Sequence, residues 1–299
     1  MLCAFAGKSA FGQQPDFEFL ANKINHGTTE QKRDALFEIR DFKTAEASGI
    51  AVPALRDSSE IVRATAAFSV IFLPPDEAFA ALAPNLSDKS EFVRRETAYA
   101  LGKLRNPNAV NLLTQTFQKE KAADVKNACV VALGEIGDVS AIDFLTRILQ
   151  KKPKKEDDAD EFLRRSAARS VGQIAQTIQI GNSKVFTPQN LLIKNSGEQN
   201  SVAKNSAKIK PPAPIYKNLA ADFPVFRAAI SALISVLQNS NETDDVKREA
   251  AFALGATGDA SAIPVLQNNL NAADYYLAQT CRESLVKISS AASHNKSIQ

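Results

Sequence analysis

The sequence is poor in residues that many enzyme folds require. It contains no Trp, two His and 12 Gly among 299 residues. So little glycine argues against a β-barrel and against a nucleotide-binding α/β fold, whose phosphate-binding turns need glycine. The two histidines, His26 and His294, lie near opposite ends of the chain, so neither a zinc cluster nor a Cys–His or Ser–His pair is indicated. We therefore predict no catalytic residue, no metal site and no cofactor.

The chain also lacks a long apolar run and a charge excess. No stretch approaches the roughly 18 apolar residues of a membrane span. The 36 basic and 33 acidic residues give a net charge of +3, a mixed surface that does not indicate nucleic acid binding. Apolar residues make up 44% of the chain, which is enough for a sizeable core. The composition predicts a soluble, monomeric helical protein.

The N-terminal segment 1–14 is treated separately from the fold. It is small and apolar, and Ala10-Phe11-Gly12 before Gln13 resembles a signal-peptidase site. A basic n-region and a full apolar core are missing. Two alternatives stay open: a remnant of an export signal, which predicts a periplasmic or secreted protein, or a frayed terminus of a cytoplasmic one.

A repeat of about 31 residues organises most of the chain. Each unit begins with an apolar residue, the head, which is followed in most units by Arg or Lys. We count positions in a unit from its head as offset 0. The heads are Val62, Val93, Val125, Leu163, Val246 and Leu277. Successive heads lie 31, 32, 38, 83 and 31 residues apart, and the two long gaps contain insertions.

Each head is followed by the apolar pattern of one helix face, at offsets +4, +7, +8 and +11. We call this helix the VR helix. Apolar residues at +16, +20 and +24 predict a second helix. Turns between the two helices are predicted at Asn106-Pro107, Gly137-Asp138 and Gly258-Asp259. Each unit is thus predicted to be an antiparallel helix pair, which buries its apolar face only by stacking on its neighbours.

Three strings carry a family resemblance. They are Val93-Arg94…Ala98-Tyr99-Ala100-Leu101-Gly102, Val125-Lys126…Ala132-Leu133-Gly134-Glu135-Ile136-Gly137-Asp138 and Val246-Lys247…Ala253-Leu254-Gly255. They resemble HEAT repeats, and specifically the short subtype of phycobilisome lyases. The likeness covers residues 15–290 apart from the insertions. It implies an all-α fold, a right-handed α-α superhelix (solenoid) of about seven helix pairs, and says almost nothing about activity.

The ends of the stack are predicted to be caps. Phe17–Ile24 and Glu30–Phe42 fit a helix pair in which Lys32 occupies the head position. Leu277–Ile288 is predicted to be the last helix, and residues 291–299 a flexible polar tail.

Two insertions interrupt the repeat. The short one, Lys151–Asp160, does not match the spacing of an EF-hand loop, so its acidic residues are predicted to cap the next helix. The long one, residues 177–222, is rich in Asn, Ser, Lys and Pro and is predicted to be disordered. It is either a passive loop or, through its lysines, a contact for an acidic partner.

The basic residues at offset +1 are predicted to be structural. In HEAT repeats such a residue commonly bonds an Asp in the turn before its own helix, and Asp57, Asp88 and Asp124 are suitably placed. This predicted ladder comprises Arg63, Arg94, Lys126, Arg164 and Lys247.

A candidate binding surface follows from offsets +2, +6 and +10. In HEAT repeats the VR helix usually lines the concave face, so these positions should form an exposed stripe. The candidate partner-binding residues are Phe68, Phe72, Arg95, Tyr99, Lys103, Arg165, Arg169, Arg248 and Phe252. Aromatic residues and arginines are enriched at protein interfaces. The alternative is that the aromatic residues tuck between helices and that the basic ones are merely solvated.

These observations favour a non-catalytic scaffold that binds a protein or peptide on its concave face. Cys129 and Cys281 both occupy offset +4, so they are predicted to be small core residues. Deoxyhypusine hydroxylases use His-Glu pairs and HEAT-like DNA glycosylases use Trp, and this sequence has neither. The alternative that stays open is a phycobilin-lyase-like or cofactor-handling accessory enzyme.

Overall fold

The computed structural model describes residues 16–153, 157–181 and 216–296, with side chains as far as 291. In these ranges every regular element is helical, and 15 α-helices follow one another without a strand. Apart from the short α11 (Leu219–Asp222), they form seven consecutive pairs. The predicted all-α solenoid is therefore confirmed. The N-terminal segment 1–14 lies outside the described residues.

Each pair, which we call a unit from here on, contains one partner helix followed by one VR helix. The VR helices are α2 (Thr29–Phe42), α4 (Glu60–Ser69), α6 (Glu91–Leu104), α8 (Ala123–Ile136), α10 (Asp158–Ile180), α13 (Asp244–Thr257) and α15 (Tyr275–Lys296). The partner helices are α1 (Phe17–His26), α3 (Ala45–Ala51), α5 (Pro75–Leu82), α7 (Ala109–Lys119), α9 (Ile142–Leu149), α12 (Phe226–Gln238) and α14 (Ile263–Asn268). Short 3₁₀ turns at Val52–Arg56, Ala83–Ser87, Val139–Ala141 and Ala260–Ala262 adjoin the partner helices.

The turns between the helices have the predicted chemistry. Gly137 and Gly258 adopt φ values of 79° and 68°, in the left-handed region that favours glycine and ends a helix. The aspartates that follow accept hydrogen bonds from the backbone two residues on: the Asp138 carboxylate binds the N–H of Ser140 at 2.8 Å. Asp157 caps α10 by accepting from the N–H of Asp160 at 3.0 Å, as predicted for the acidic loop.

Each VR helix packs directly on the next, so these helices form one continuous layer. Their approach is close because the residue at +9 is glycine in four units, namely Gly102, Gly134, Gly172 and Gly255. A Cβ atom added to Gly102 would lie 2.8 Å from the Cα of Ala132, at +7 of the next VR helix. Serine at +7 adds a hydrogen bond across the same seam. Ser170 Oγ donates to the carbonyl of Val130 at 3.0 Å.

The last VR helix departs from this pattern. At +9, α15 has Val286, whose exposed fraction is 70%, instead of glycine. At +1 it has the buried Ala278 instead of a basic residue. A helix on this face could not approach α15 as closely as the next VR helix approaches α6, α8, α10 or α13, because the Val286 side chain would intervene.

The edges of the second insertion and of the C-terminal tail are more regular than predicted. Helix α10 continues to Ile180, and the chain is again described from Tyr216, a buried residue, onward. The Gln179 side chain joins the two edges, since it accepts from the N–H of Lys217 at 2.9 Å and donates to its carbonyl at 2.7 Å. Helix α15 extends to Lys296 rather than ending at Ile288. The rest of the predicted disordered insertion, residues 182–215, lies outside the described residues.

Candidate functional site on the VR helices

The basic residues at +1 do form a ladder, but each rung reaches forward to the next unit. Arg63 Nε donates to Asp88 at 2.7 Å, and its Nη1 donates to the carbonyl of Asp57 at 2.8 Å. Arg94 donates to both carboxylate oxygens of Glu120, at 2.7 and 3.0 Å. The predicted bond to the Asp in the turn before the helix is present for Arg63 and Arg94, but it goes to the backbone carbonyl of that Asp. The carboxylate of the same Asp binds the +1 residue of the preceding unit instead, as Asp88 binds Arg63.

The first rung corrects the register of the N-terminal unit. Lys32 Nζ lies 2.6 Å from Asp57, so Lys32 occupies +1 and the head is Gln31. Two predicted members do not bridge units among the described residues. The ammonium of Lys126 lies 5.8 Å from the ring centre of Phe117, and Lys247 contacts Asp244 of its own helix at 3.9 Å.

The fourth rung is fully buried and joins the two sides of the second insertion. The side chains of Arg164 and Glu242 are 3% and 2% exposed, and Arg164 Nε donates to Glu242 at 3.1 Å. Arg164 Nη1 also donates to the carbonyls of Leu149 and Lys151, at 3.2 and 2.6 Å. This guanidinium therefore ties α10 to the end of α9 and to the turn before α13.

Acid should weaken the ladder. Hydrogen bonds from Arg94, together with the N–H groups of Ala122 and Lys121, lower the pKa of Glu120 from 4.5 to about 2. A carboxyl group with a lowered pKa stabilises the fold fully above its unfolded pKa, and this contribution is lost as the pH falls toward its folded pKa. We expect stability to decrease between about pH 4.5 and 2, and Glu120→Gln to flatten that decrease. Urea unfolding at a series of pH values measures both slopes, with Asp143→Asn controlling for the loss of one carboxylate. Equal slopes for wild type and Glu120→Gln would contradict the assignment.

Most of the predicted stripe lies on the surface of the VR layer, but Phe72 does not. Phe72 is buried, with 5% of its surface exposed. Helix α4 ends at Ser69, so offset +10 falls in the following turn, where the chain directs Phe72 into the core. Phe68 and Tyr99 are half-buried against the core, and Phe252 is half-buried beside Gly172 of α10. They partly tuck between helices, as the alternative reading expected, and partly face solvent.

The stripe's cations are paired across units rather than merely solvated. Arg95, Lys103, Arg165 and Arg169 each contact an acid on the following VR helix. The distances are 3.7 Å for Arg95 to Asp124, 2.5 Å for Lys103 to Glu135, 3.2 Å for Arg165 to Asp245 and 3.1 Å for Arg169 to Glu249. Arg248 also binds Asp245, from within its own helix. These pairs are partly exposed, so each adds little stability, while together they fix the direction of the guanidinium groups.

Sequence reasoning missed a row of exposed aromatic residues at offset −1. Phe92, Phe162 and Tyr276 are all exposed. Arg95 and Arg165 lie over the Phe92 and Phe162 rings of their own helices, at 5.1 and 4.8 Å from the ring centres. Arg248 lies 5.7 Å from the ring of Tyr276 on the next VR helix. The corrected register adds Phe37 to the +6 row, beside Phe68 and Tyr99. For Phe92 and Phe162 the signal was available in the sequence, three residues before Arg95 and Arg165.

Around α10 the stripe opens into a groove of about 350 Å³. Its lining comes from α8, α10 and α13. The lining residues are Val131, Phe162, Arg165, Ser166, Arg169, Ser170, Gln173, Arg248 and Glu249. Three guanidinium groups and the Glu249 carboxylate line the groove, and Asp245 binds two of the guanidinium groups, those of Arg165 and Arg248. Three positive charges thus face two negative ones, so the groove has a small excess of positive charge.

The described residues contain no group of three or more His, Cys, Asp and Glu side chains that could hold a metal ion. Cys129 and Cys281 are both fully buried, which confirms them as core residues. Burial raises the pKa of Cys129 to about 12 and that of Cys281 to about 11. No helix in the described ranges is long and apolar enough to span a membrane.

Both thiols should resist alkylation in the native protein. The thiolate is the reactive form, and at pH 8 a thiol with a pKa of 11 or 12 is almost entirely protonated. Peptide mass spectrometry after iodoacetamide treatment should show label on Cys129 and Cys281 only when denaturant is present. Rapid native labelling of either residue would contradict their placement in the core.

Comparisons with known proteins agree with the helical repeat. The family model of HEAT repeats matches residues 50–133 and 80–171, and the model of the PBS lyase HEAT-like repeat matches residues 246–272. A comparison with curated proteins gave no match.

Solved structures resemble this chain at low identity. The complex of CpcE and CpcF of phycocyanin lyase from Nostoc sp. PCC7120 is 16% identical, over 97% of this chain and 99% of that one, with a TM-score of 0.46. A designed armadillo repeat protein in complex with the peptide (KR)4 is 16% identical, over 92% and 100%, with a TM-score of 0.41. Human deoxyhypusine hydroxylase is 15% identical, over 92% and 96%, with a TM-score of 0.38. At these values the likenesses concern the fold alone.

Proposed function

Because this chain is a HEAT-repeat protein, we propose that it is a non-catalytic scaffold that binds a protein or peptide along the surface of its VR helices, on the concave side of the solenoid. The partner is another protein rather than a nucleic acid, and the chain acts as a monomer. No cofactor takes part.

One observation carries this proposal: aromatic and arginine side chains recur together, unit after unit, on a single face. Phe92 and Phe162 are exposed and lie under Arg95 and Arg165. Acids hold both arginines: Glu96 of the same helix and Asp124 of the next unit contact Arg95, and Asp245 of the next unit contacts Arg165. Aromatic residues and arginines are enriched where proteins contact one another. Arginines held in one conformation also lose less entropy on binding than free ones.

The test is affinity capture from an extract of the source cells. The face variant carries Phe92→Ser, Arg95→Gln, Arg165→Gln and Arg169→Gln. The control variant removes the same kind of charge from the partner helices and turns, through Arg56→Gln, Arg147→Gln and Arg227→Gln, all at exposed positions. We expect wild type and control to retain the same partner protein, and the face variant to lose it.

Circular dichroism must first show equal helicity and similar melting temperatures for the three proteins. A partner that the face variant retains as well as wild type does would contradict binding through the VR helices. A coloured small molecule that co-purifies in place of a protein would contradict the scaffold and favour the lyase-like alternative.

A further inference from the structure

The groove around α10 differs from the rest of the VR surface in both shape and charge. Its floor is formed by Val131 of α8 with Ser166 and Ser170 of α10, which are small or uncharged. Its walls carry Arg165, Arg169 and Arg248. Toward the N-terminus, the same face carries Phe37, Phe68 and Tyr99 at +6 of three successive VR helices. We call the +6 row on α2, α4 and α6 the aromatic half of this face and the groove its cationic half, although Arg95 lies on α6 and Phe252 lies on α13.

Two arginines of the groove form ion pairs and still have N–H donors left for a ligand. Arg169 donates through Nη1 to Glu249, at 3.1 Å, while 59% of its side chain is exposed. Arg165 donates through Nη1 to Asp245, at 3.2 Å, and stacks on Phe162. A guanidinium has five N–H donors, so each of these side chains retains donors that face solvent. Such donors match a carboxylate, which an arginine can bind through two parallel hydrogen bonds.

The distance between the two halves corresponds to a short extended segment. Packed helices lie about 8–10 Å apart, so α6, which carries Tyr99, and α10, which carries Arg169, are about 16–20 Å apart. An extended chain rises about 3.3 Å per residue, so about six residues span that distance.

We propose, on the basis of the proposed function, that the partner occupies this face with an acidic segment. An Asp or Glu of the partner binds between Arg165 and Arg169 in the groove. An apolar side chain about six residues away packs on Phe68 and Tyr99. Charge complementarity at the groove therefore selects the partner, since a basic segment would meet three guanidinium groups.

The test uses fluorescence anisotropy with a labelled peptide of about twelve residues, long enough to cover both halves. The peptide carries a Leu pair near one end, a Glu pair near the other and Ser between, and is made in both sequence orders. Matched peptides replace Glu by Gln or by Lys. We expect the Glu peptide to bind at least about tenfold more tightly than either, because hydrogen bonds to charged groups are the strongest ones. Arg165→Gln with Arg169→Gln should remove that preference, and Arg147→Gln should not.

The outcomes separate this inference from the proposed function. The acidic-segment proposal would be contradicted if the Glu, Gln and Lys peptides bound equally and the Arg165→Gln, Arg169→Gln protein still retained the cellular partner. If the face variant lost that partner in the same experiments, the proposed scaffold function would still hold. Retention of the partner by the face variant would contradict the proposed scaffold function itself. Labelled single-stranded RNA that binds more tightly than the Glu peptide would also overturn the proposal, because phosphate and not carboxylate would then be the favoured anion.

Discussion

Glu242→Ala is expected to lower the free energy of unfolding by about 3–5 kcal/mol, the cost of breaking a buried ion pair by removal of one partner. The carboxylate of Glu242 and the guanidinium of Arg164 are both almost completely buried. Without the carboxylate, a positive charge would remain inside the protein, paired only with carbonyl groups of Leu149 and Lys151.

An exposed pair provides the matched control. Arg147 and Asp143 lie on one helix, 2.9 Å apart, with side chains 64% and 67% exposed. Asp143→Ala should lower the free energy of unfolding by no more than about 0.5 kcal/mol, because an exposed ion pair is only slightly more stable than the two side chains hydrated separately. Urea unfolding of the two alanine variants measures both values. A cost for Glu242→Ala as small as that for Asp143→Ala would show that Arg164 finds other compensation.

This pair also bears on the candidate site. The partners are 78 residues apart in sequence, on the two sides of the long insertion. Helices α10 and α13 both line the cationic groove, so the relative position of Arg169 and Arg248 depends on the seam that this rung holds. Loss of stability and loss of partner binding should therefore occur together in Glu242→Ala, whereas Arg165→Gln with Arg169→Gln should affect binding with little effect on stability.

The repeat itself could be predicted from the sequence because each unit repeats the same helical period. Heads, core positions and turn residues are local signals, so Cys129 at +4 and Gly137 in the turn were placed correctly. The weak N-terminal unit was displaced by one residue, since Lys32 was taken as its head. The Lys32–Asp57 contact fixes its register, and the hydrogen bond from Ser69 Oγ to the carbonyl of Leu36, at 2.9 Å, agrees with it.

Contacts between units were harder to predict than contacts within one. Arg63 has two candidate carboxylates, Asp57 in the turn before its own helix and Asp88 in the turn before the next VR helix. The sequence alone does not show which of the two it binds. The structure pairs it with Asp88, because its own turn directs backbone carbonyls at the guanidinium. Phe72 was misplaced for a different reason. Offset +10 lies on the helix in α10, which has 23 residues, but it falls in the turn after α4, which has only 10, so the helical periodicity no longer applies there.

Gly255→Ala is expected to destabilise the protein by about 1–3 kcal/mol, the usual cost of overpacking a close-packed seam. Gly255 lies at +9 of α13, where a Cβ atom would be 2.7 Å from the Cα of Ser284 on α15. That atom belongs to a helix backbone, and it is further fixed because Ser284 Oγ donates to the carbonyl of Ala251 at 2.8 Å. The two helices would have to separate, and the hydrogen bond would lengthen.

Gly49→Ala is expected to have the opposite effect on stability, although the chemical change is the same. Gly49 lies within α3, and no atom lies within 4 Å of its added Cβ. Alanine should therefore stabilise α3 by up to about 1 kcal/mol, because glycine is a poor helix former. Both variants gain the same intrinsic helix propensity, so the difference between their unfolding free energies isolates the close approach of α13 and α15. Equal effects would mean that the VR helices are free to move apart, and the glycine at +9 would then have no part in holding the candidate binding face together.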